Sequence, residues 1–166
     1  MKRAFVFAVL AITLSVPGFA QQAVFVVRHA ERADSHGGGA TTMATDPDLS
    51  DTGRARAKSL AGVLKDAGIA AIFVTEYKRT QQTAEPIAQA LGITPTIVNA
   101  RDVAALVQKT QAAGGNVLVV GHSNTIPEII AGLGASERIK LADTDYDDLF
   151  VVVRGDNPKL LRIHYR

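Results

Sequence analysis

The chain's 166 residues are 47% apolar and 20% charged, the balance of a folded globular protein rather than a disordered one, and the length suits one domain with a single core. With no Cys, it has no disulfides, no thiolate metal ligands, no cysteine nucleophile and no lipid-anchored leader; with no Trp, its core must be filled by Val, Ile, Leu and Ala. The formal charge of +2, from 18 Lys+Arg against 16 Asp+Glu, is modest.

The first twenty residues differ from the rest. Lys2 and Arg3 precede an apolar run from Ala4 to Val16, and Pro17-Gly18-Phe19-Ala20 follows, with small residues at Gly18 and Ala20 before a cut at Gln21. This is the layout of a secretory signal peptide, and the run is shorter than the roughly 20 apolar residues that span a bilayer. The expected organisation is therefore a leader over 1–20 and one domain over 21–166, periplasmic or secreted, without a stable membrane anchor. Loss of Lys2 and Arg3 leaves 16 basic against 16 acidic residues, so the pI near 9.0 is no evidence for a nucleic-acid or membrane partner, and no nucleic-acid partner is expected.

Along the domain, strand-like and helix-like segments alternate. Ala23 to Val27 is a short β-branched run, and a polar, Gly-rich stretch from Arg32 to Asp48, with Gly37-Gly38-Gly39, reads as a mobile loop beside a site. Ser50 or Thr52 starts a helix whose apolar positions Ala57, Leu60, Ala61 and Leu64 recur at helical spacing, and Gly68 ends it. Ile69 to Val74 is a second strand, followed by a helix over about Lys78 to Leu91 that tolerates or bends at Pro86 and stops at Gly92. Thr96 to Val98 is a third strand, Asp102 caps a helix to about Ala113, and Asn116 to Val120 is a fourth strand. Pro127 sits in the first turn of a short helix, and Leu149 to Val153 with Leu160 to Tyr165 forms a hairpin across Gly155-Asp156-Asn157-Pro158. The pattern predicts a three-layer α/β/α domain with a mostly parallel sheet and a C-terminal antiparallel hairpin.

Three strand ends carry the chemistry. The first delivers Arg28-His29, the second leads through Thr75 to Arg79, and the fourth delivers Gly121-His122. In open α/β sheets ligands bind outside the carboxyl ends of the strands, so these residues converge on one crevice. Two guanidinium groups offer forked donors to a tetrahedral dianion, and a neutral histidine held by an acceptor at one ring nitrogen is a nucleophile at the other. A carbonyl near the strand end would hold His29 in this way.

These segments also carry a family resemblance. Val26-Val27-Arg28-His29-Ala30-Glu31 resembles the Arg-His-Gly signature of the histidine phosphatase (phosphoglycerate-mutase-like) superfamily, with Ala30 in place of the usual Gly. Leu49-Ser50-Asp51-Thr52-Gly53 with Arg56-Ala57 is similar to the start of the family's first helix, and Thr75 to Ala84 to the segment bearing its second phosphate-binding arginine. Val119 to Thr125 is similar to the segment bearing its second histidine. The resemblance implies that His29 becomes phosphorylated, that Arg28, Arg79 and His122 hold the phosphoryl group with backbone N–H groups near Ser123, and that no metal or other cofactor is needed. It points to the compact branch with phosphohistidine phosphatases and small periplasmic members, acting on a phosphorylated small molecule or macromolecule; nothing in the sequence requires more than a monomer. Ser123 stands where the larger acid phosphatases have Asp, so the general acid is open between Glu31 and Asp102. Asp102 equally reads as a helix N-cap, and Glu31 as a partner of Arg32 or Arg79.

The same residues fit two other readings. His29, Glu31, Asp34 and His36 form a cluster that could ligate a metal such as zinc, although the nearby arginines oppose a cation. A phosphate- or phosphosugar-binding protein without turnover would use the same scaffold. The acidic run Asp143, Asp145, Asp147 and Asp148 around Tyr146 reads as a solvated loop, with substrate or calcium contact at the rim as its rival role, and His164 reads as incidental.

Overall fold

The computed structural model describes residues 22–34 and 46–166; the leader expected over 1–20, the triple-glycine run and His36 lie outside them. The elements are β1 (Ala23–Arg28), α1 (Asp51–Leu64), β2 (Ile69–Thr75), α2 (Lys78–Leu91), β3 (Thr96–Val98), α3 (Val103–Ala112), β4 (Asn116–Gly121), α4 (Ile126–Gly132), β5 (Asp148–Val153) and β6 (Lys159–His164). They form one six-stranded sheet in the order β3-β2-β4-β1-β5-β6. The first four strands are mutually parallel, and β5 and β6 add an antiparallel edge. Among the described residues no helix is long and apolar enough to cross a membrane.

Alternate residues of each central strand feed two cores. Val24, Val26, Val117, Val119, Phe150 and Val152 pack under α3 and α4 with Leu106, Ile126 and Ile130. Val27, Leu118, Val120, Leu149 and Val151 pack under α1 and α2 with Leu60, Leu64 and Ile87. Burial on both faces is why these strands read as unbroken apolar runs rather than alternating ones.

The expected boundaries differ from the observed ones by a residue or so. Ser50 caps α1 by accepting the Gly53 N–H at 3.0 Å, and α2 continues unbroken through Pro86. Gly53 lets α1 approach the β1 exit, since a Cβ there would lie 2.2 Å from the Glu31 carbonyl oxygen. That carbonyl also accepts the Ser50 N–H at 2.9 Å, tying the start of α1 to the residues just past the strand.

The acidic run is a correction. Asp148 opens β5 rather than a solvated loop; it is 1% exposed and takes two hydrogen bonds from Arg162 of β6, at 2.6 and 2.7 Å. His164 lies 3.4 Å from Asp147 and 3.3 Å from Asp148, so it belongs to the same cluster.

Candidate active site

The parallel register aligns Arg28 of β1 with Gly121 of β4, so His29 and His122 leave adjacent strands side by side. The His29 N–H extends the ladder by donating to the Gly121 carbonyl at 2.9 Å. Beyond His122 the chain turns at once into α4, with the Thr125 and Ile126 N–H groups donating to the His122 carbonyl at 3.0 Å. The two rings meet edge to face with centroids 5.4 Å apart.

His29 is buried, and its Nδ1 lies 2.8 Å from the Ala30 carbonyl oxygen. A carbonyl only accepts, so Nδ1 carries the hydrogen and the Nε2 lone pair is exposed to attack an electrophile. Burial lowers the pKa of His29 to about 3; the Ala30 bond opposes the shift, while His122, Arg79 and Arg28 add to it. His122 falls to about 4 through burial and then through Arg79 and Arg28. Both imidazoles are neutral at physiological pH. His122 Nε2 meets the Thr75 hydroxyl at 3.0 Å, and Thr75 in turn meets Thr80 at 2.9 Å, so the end of β2 and the first turn of α2 fix this ring.

Arg79 enters from the first turn of α2 and is only 2% exposed. Its guanidinium lies 4.1 Å above the Tyr77 ring and 3.6 Å from Asp46, whose carboxylate also caps α2 by accepting the Lys78 N–H at 3.1 Å. Burial lowers its pKa, with Arg32 adding to the effect. Arg28 has a matching arrangement, 4.0 Å over the Tyr146 ring. Its Nη1 donates to the Ala142, Asp143 and Asp145 carbonyls at 3.2, 3.0 and 3.4 Å, and its Nη2 to Tyr146 Oη at 3.2 Å. The Nε donors of both arginines are buried and have no partner among the described residues. Unpaired buried donors are costly, so two of them beside a bare imidazole nitrogen mark a place for an anion.

The structure thus brings Arg28, His29, Arg79 and His122 together, with Ser123 half-buried in the turn after His122. It does not bring Glu31 to the same place. Arg56 of α1 grips the Glu31 carboxylate from Nε, at 2.9 Å to each oxygen, and from Nη2 at 2.6 Å, on the side facing Tyr165. Asp102 caps α3, its Oδ1 accepting the Ala105 N–H at 2.9 Å. Both carboxylates expected as acids are engaged in structural bonds. Among the described residues the metal cluster considered above is not assembled either, since Glu31 faces Arg56 and Asp34 is held twice by Arg32, at 2.9 and 2.6 Å. That bond to Arg32 lowers the pKa of Asp34. Asp147, Asp148 and His164 do lie close enough to share an ion, but Asp148 is already neutralised by Arg162.

Tyr77 and Tyr146 are the residues that sequence reasoning missed. Tyr77 lies two positions before Arg79, and Tyr146 was hidden in the acidic run; no periodicity singles out either. A cavity of about 180 Å³ opens beside His122, lined by Tyr77, Arg101, Asn124 and Glu128 among others. The larger groove of about 810 Å³ between α2 and the β3 edge contains none of the four clustered side chains, so chemistry rather than size identifies the site.

Comparison with known proteins agrees with this geometry. Residues 24–101 match the family model of the histidine phosphatase superfamily (branch 1). The fold is similar to a mycobacterial glucosyl-3-phosphoglycerate phosphatase solved with VO3, at 15% identity and TM-score 0.67 over 87% of this chain and 98% of that one. It is similar to the protein histidine phosphatase SixA solved with tungstate, at 19% identity and TM-score 0.62 over 86% and 97%. A phosphoserine phosphatase variant from Entamoeba histolytica, solved with phosphoserine, aligns at 16% identity and TM-score 0.65 over 84% and 94%. No curated protein matches the sequence significantly. At these identities the solved structures speak to the fold.

Proposed function

We propose that this chain, whose residues 24–101 match the histidine phosphatase superfamily model, is a member of that superfamily and a metal-independent phosphatase working through a phosphohistidine on His29. The observation that carries the reading is the His29 ring itself. Its Nδ1–H is fixed on the Ala30 carbonyl, and its Nε2 is unprotonated beside two arginines whose Nε donors lack partners.

A phosphoryl group suits these side chains electrically. Arg28, Arg79, His122 and the backbone N–H near Ser123 hold its oxygens, and the negative charge that spreads over them during transfer meets fixed donors rather than water. Two guanidinium groups supply the positive charge that a cation provides elsewhere. His29 Nε2 attacks phosphorus in line and forms a P–N bond as the P–O bond to the leaving group breaks. A water then attacks phosphorus, the P–N bond breaks, and inorganic phosphate leaves with the Nε2 lone pair restored. His122, neutral in the free protein, gains a proton more readily once a dianion offsets the arginines, and so becomes a charged donor to it.

The related proteins named above act on glucosyl-3-phosphoglycerate, on a phosphorylated protein histidine and on phosphoserine, which together span small and macromolecular substrates. For this chain we place the phosphorylated substrate outside the cytoplasm, on the leader pattern of residues 1–20; an exported form beginning at Gln21 is the corresponding observation. The activity is tested by hydrolysis of p-nitrophenyl phosphate with EDTA present. Turnover by the wild type that is abolished in His29→Ala supports the reading; wild-type turnover retained by His29→Ala contradicts it.

A further inference from the structure

Phosphoryl transfer to His29 needs a proton for the departing oxygen, and the two carboxylates expected to give it are occupied by Arg56 and by the α3 N-terminus. Resting on the phosphatase reading, we propose that the Tyr146 hydroxyl is that donor, a catalytic tyrosine delivered by the segment between α4 and β5.

Three features support it. First, Tyr146 Oη lies 3.2 Å from Arg28 Nη2, and a guanidinium only donates. The phenol therefore accepts there, and its own hydrogen points elsewhere; no acceptor for it lies within hydrogen-bond distance among the described residues. Second, the ring stands beside the nucleophile, with centroids of Tyr146 and His29 6.2 Å apart. It is half-buried, so it is not sealed from solvent. Third, one stretch of backbone aligns both donor and arginine. The Ala142, Asp143 and Asp145 carbonyls clamp Arg28, and the turn carrying them is closed by the Asp145 N–H on the Ala142 carbonyl at 3.1 Å and the Ala142 N–H on the Asp145 carboxylate at 2.8 Å. Arg162 lies 3.7 Å from that carboxylate and anchors the turn to β6.

The proton balance closes. As His29 Nε2 bonds to phosphorus, the P–O electron pair goes to the leaving oxygen, which takes the Tyr146 hydrogen and departs as an alcohol. The phenolate that remains is stabilised by the Arg28 guanidinium against its oxygen and over its ring. In the second half the phenolate takes a proton from the water that attacks phosphorus, and Tyr146 returns to its starting state. A phenol is a stronger acid than an aliphatic alcohol, so the first transfer runs in the favourable direction.

The test is the leaving-group dependence of kcat/KM for Tyr146→Phe, a change that keeps the ring beneath Arg28. Aryl phosphates of graded leaving-group acidity and glycerol 2-phosphate are compared in variant and wild type. The proposal expects p-nitrophenyl phosphate, which leaves without help, to be turned over within about fivefold of wild type, and glycerol 2-phosphate to lose on the order of 10²–10⁴-fold, with a much steeper dependence on leaving-group acidity. An equal loss on every substrate would make Tyr146 a positioning residue for Arg28 and overturn the proposal, as would no loss on any. Wild type unable to hydrolyse any of the series overturns the phosphatase reading itself, which separates that failure from the failure of Tyr146.

Discussion

His29 and His122 stand edge to face, 5.4 Å between ring centroids, and each is tied by one nitrogen to the protein: Nδ1 of His29 to the Ala30 carbonyl, Nε2 of His122 to the Thr75 hydroxyl. Each ring thereby presents its remaining nitrogen from a fixed direction. The arrangement follows from parallel pairing of β1 with β4, which sets the two strand ends level.

Acid should destabilise this arrangement in a defined window. The folded pKa values of about 3 for His29 and about 4 for His122 lie below the ordinary 6.5, so between these limits the unfolded chain binds more protons than the native one. Stability from both groups is fully present above pH of about 6.5 and is lost as pH falls toward 4. Urea unfolding midpoints measured from pH 7 to pH 4 should decline, and the decline should be shallower in His29→Asn. Equal slopes in the two proteins would show that His29 is not held neutral by the fold.

On the proposed mechanism, Arg79 should favour catalysis at the expense of the fold. Its Nε is buried without a partner and its carboxylate neighbour Asp46 is 3.6 Å away. Arg79→Met removes the buried charge and keeps the packing on Tyr77, so its melting temperature should equal or exceed that of wild type. The same change should cut kcat/KM by at least about 10²-fold, because a positioned donor to the transferring phosphoryl group is gone. Thermal melting and steady-state kinetics on one preparation check both halves.

Glu31→Gln should do the reverse. The Glu31–Arg56 pair has side chains 12% and 20% exposed, and breaking it leaves Arg56 without its counter-charge, at a cost of about 1–3 kcal/mol. Activity on an alkyl phosphate should stay within about threefold of wild type, since this carboxylate faces α1 and Tyr165 rather than the phosphoryl site. A large selective loss on poor leaving groups would restore Glu31 as the acid.

Gly53→Ala should damage both stability and catalysis. The added methyl would sit 2.2 Å from the Glu31 carbonyl oxygen, a backbone atom that cannot swing aside. Overpacking of this kind costs about 1–3 kcal/mol. Because Glu31 follows Ala30, whose carbonyl orients His29, the displacement should also lower kcat. Chemical denaturation together with kcat at saturating substrate measures the two effects.

The layout and the four clustered residues were legible in the sequence because each depends on local information. Arg28, His29 and His122 interrupt apolar runs where strands end, and parallel topology gathers such ends on one side of the sheet. Pairings made across the fold were not legible. Glu31 finds Arg56 across 25 residues, and Asp148 finds Arg162 only after the β5–β6 hairpin has formed, so a run of aspartates that looks solvated contributes a buried strand residue. Asp102 was ambiguous for another reason: a loop aspartate before a helix serves equally as cap or acid until its Oδ1 is seen on the Ala105 N–H. Tyr77 and Tyr146 carry no sequence signal, since their role comes from two guanidinium groups lying over their rings.

The most direct test of the account is to trap the phosphoenzyme. Wild-type protein mixed with a phosphomonoester in EDTA and quenched into alkali, which preserves a phosphoramidate, is digested and its peptides weighed. The account predicts one added phosphoryl group on the peptide containing His29, absent from His29→Ala and discharged by a chase of unlabelled substrate. Turnover with no phosphorylated histidine at any quench time, or with the label on His122, would contradict it.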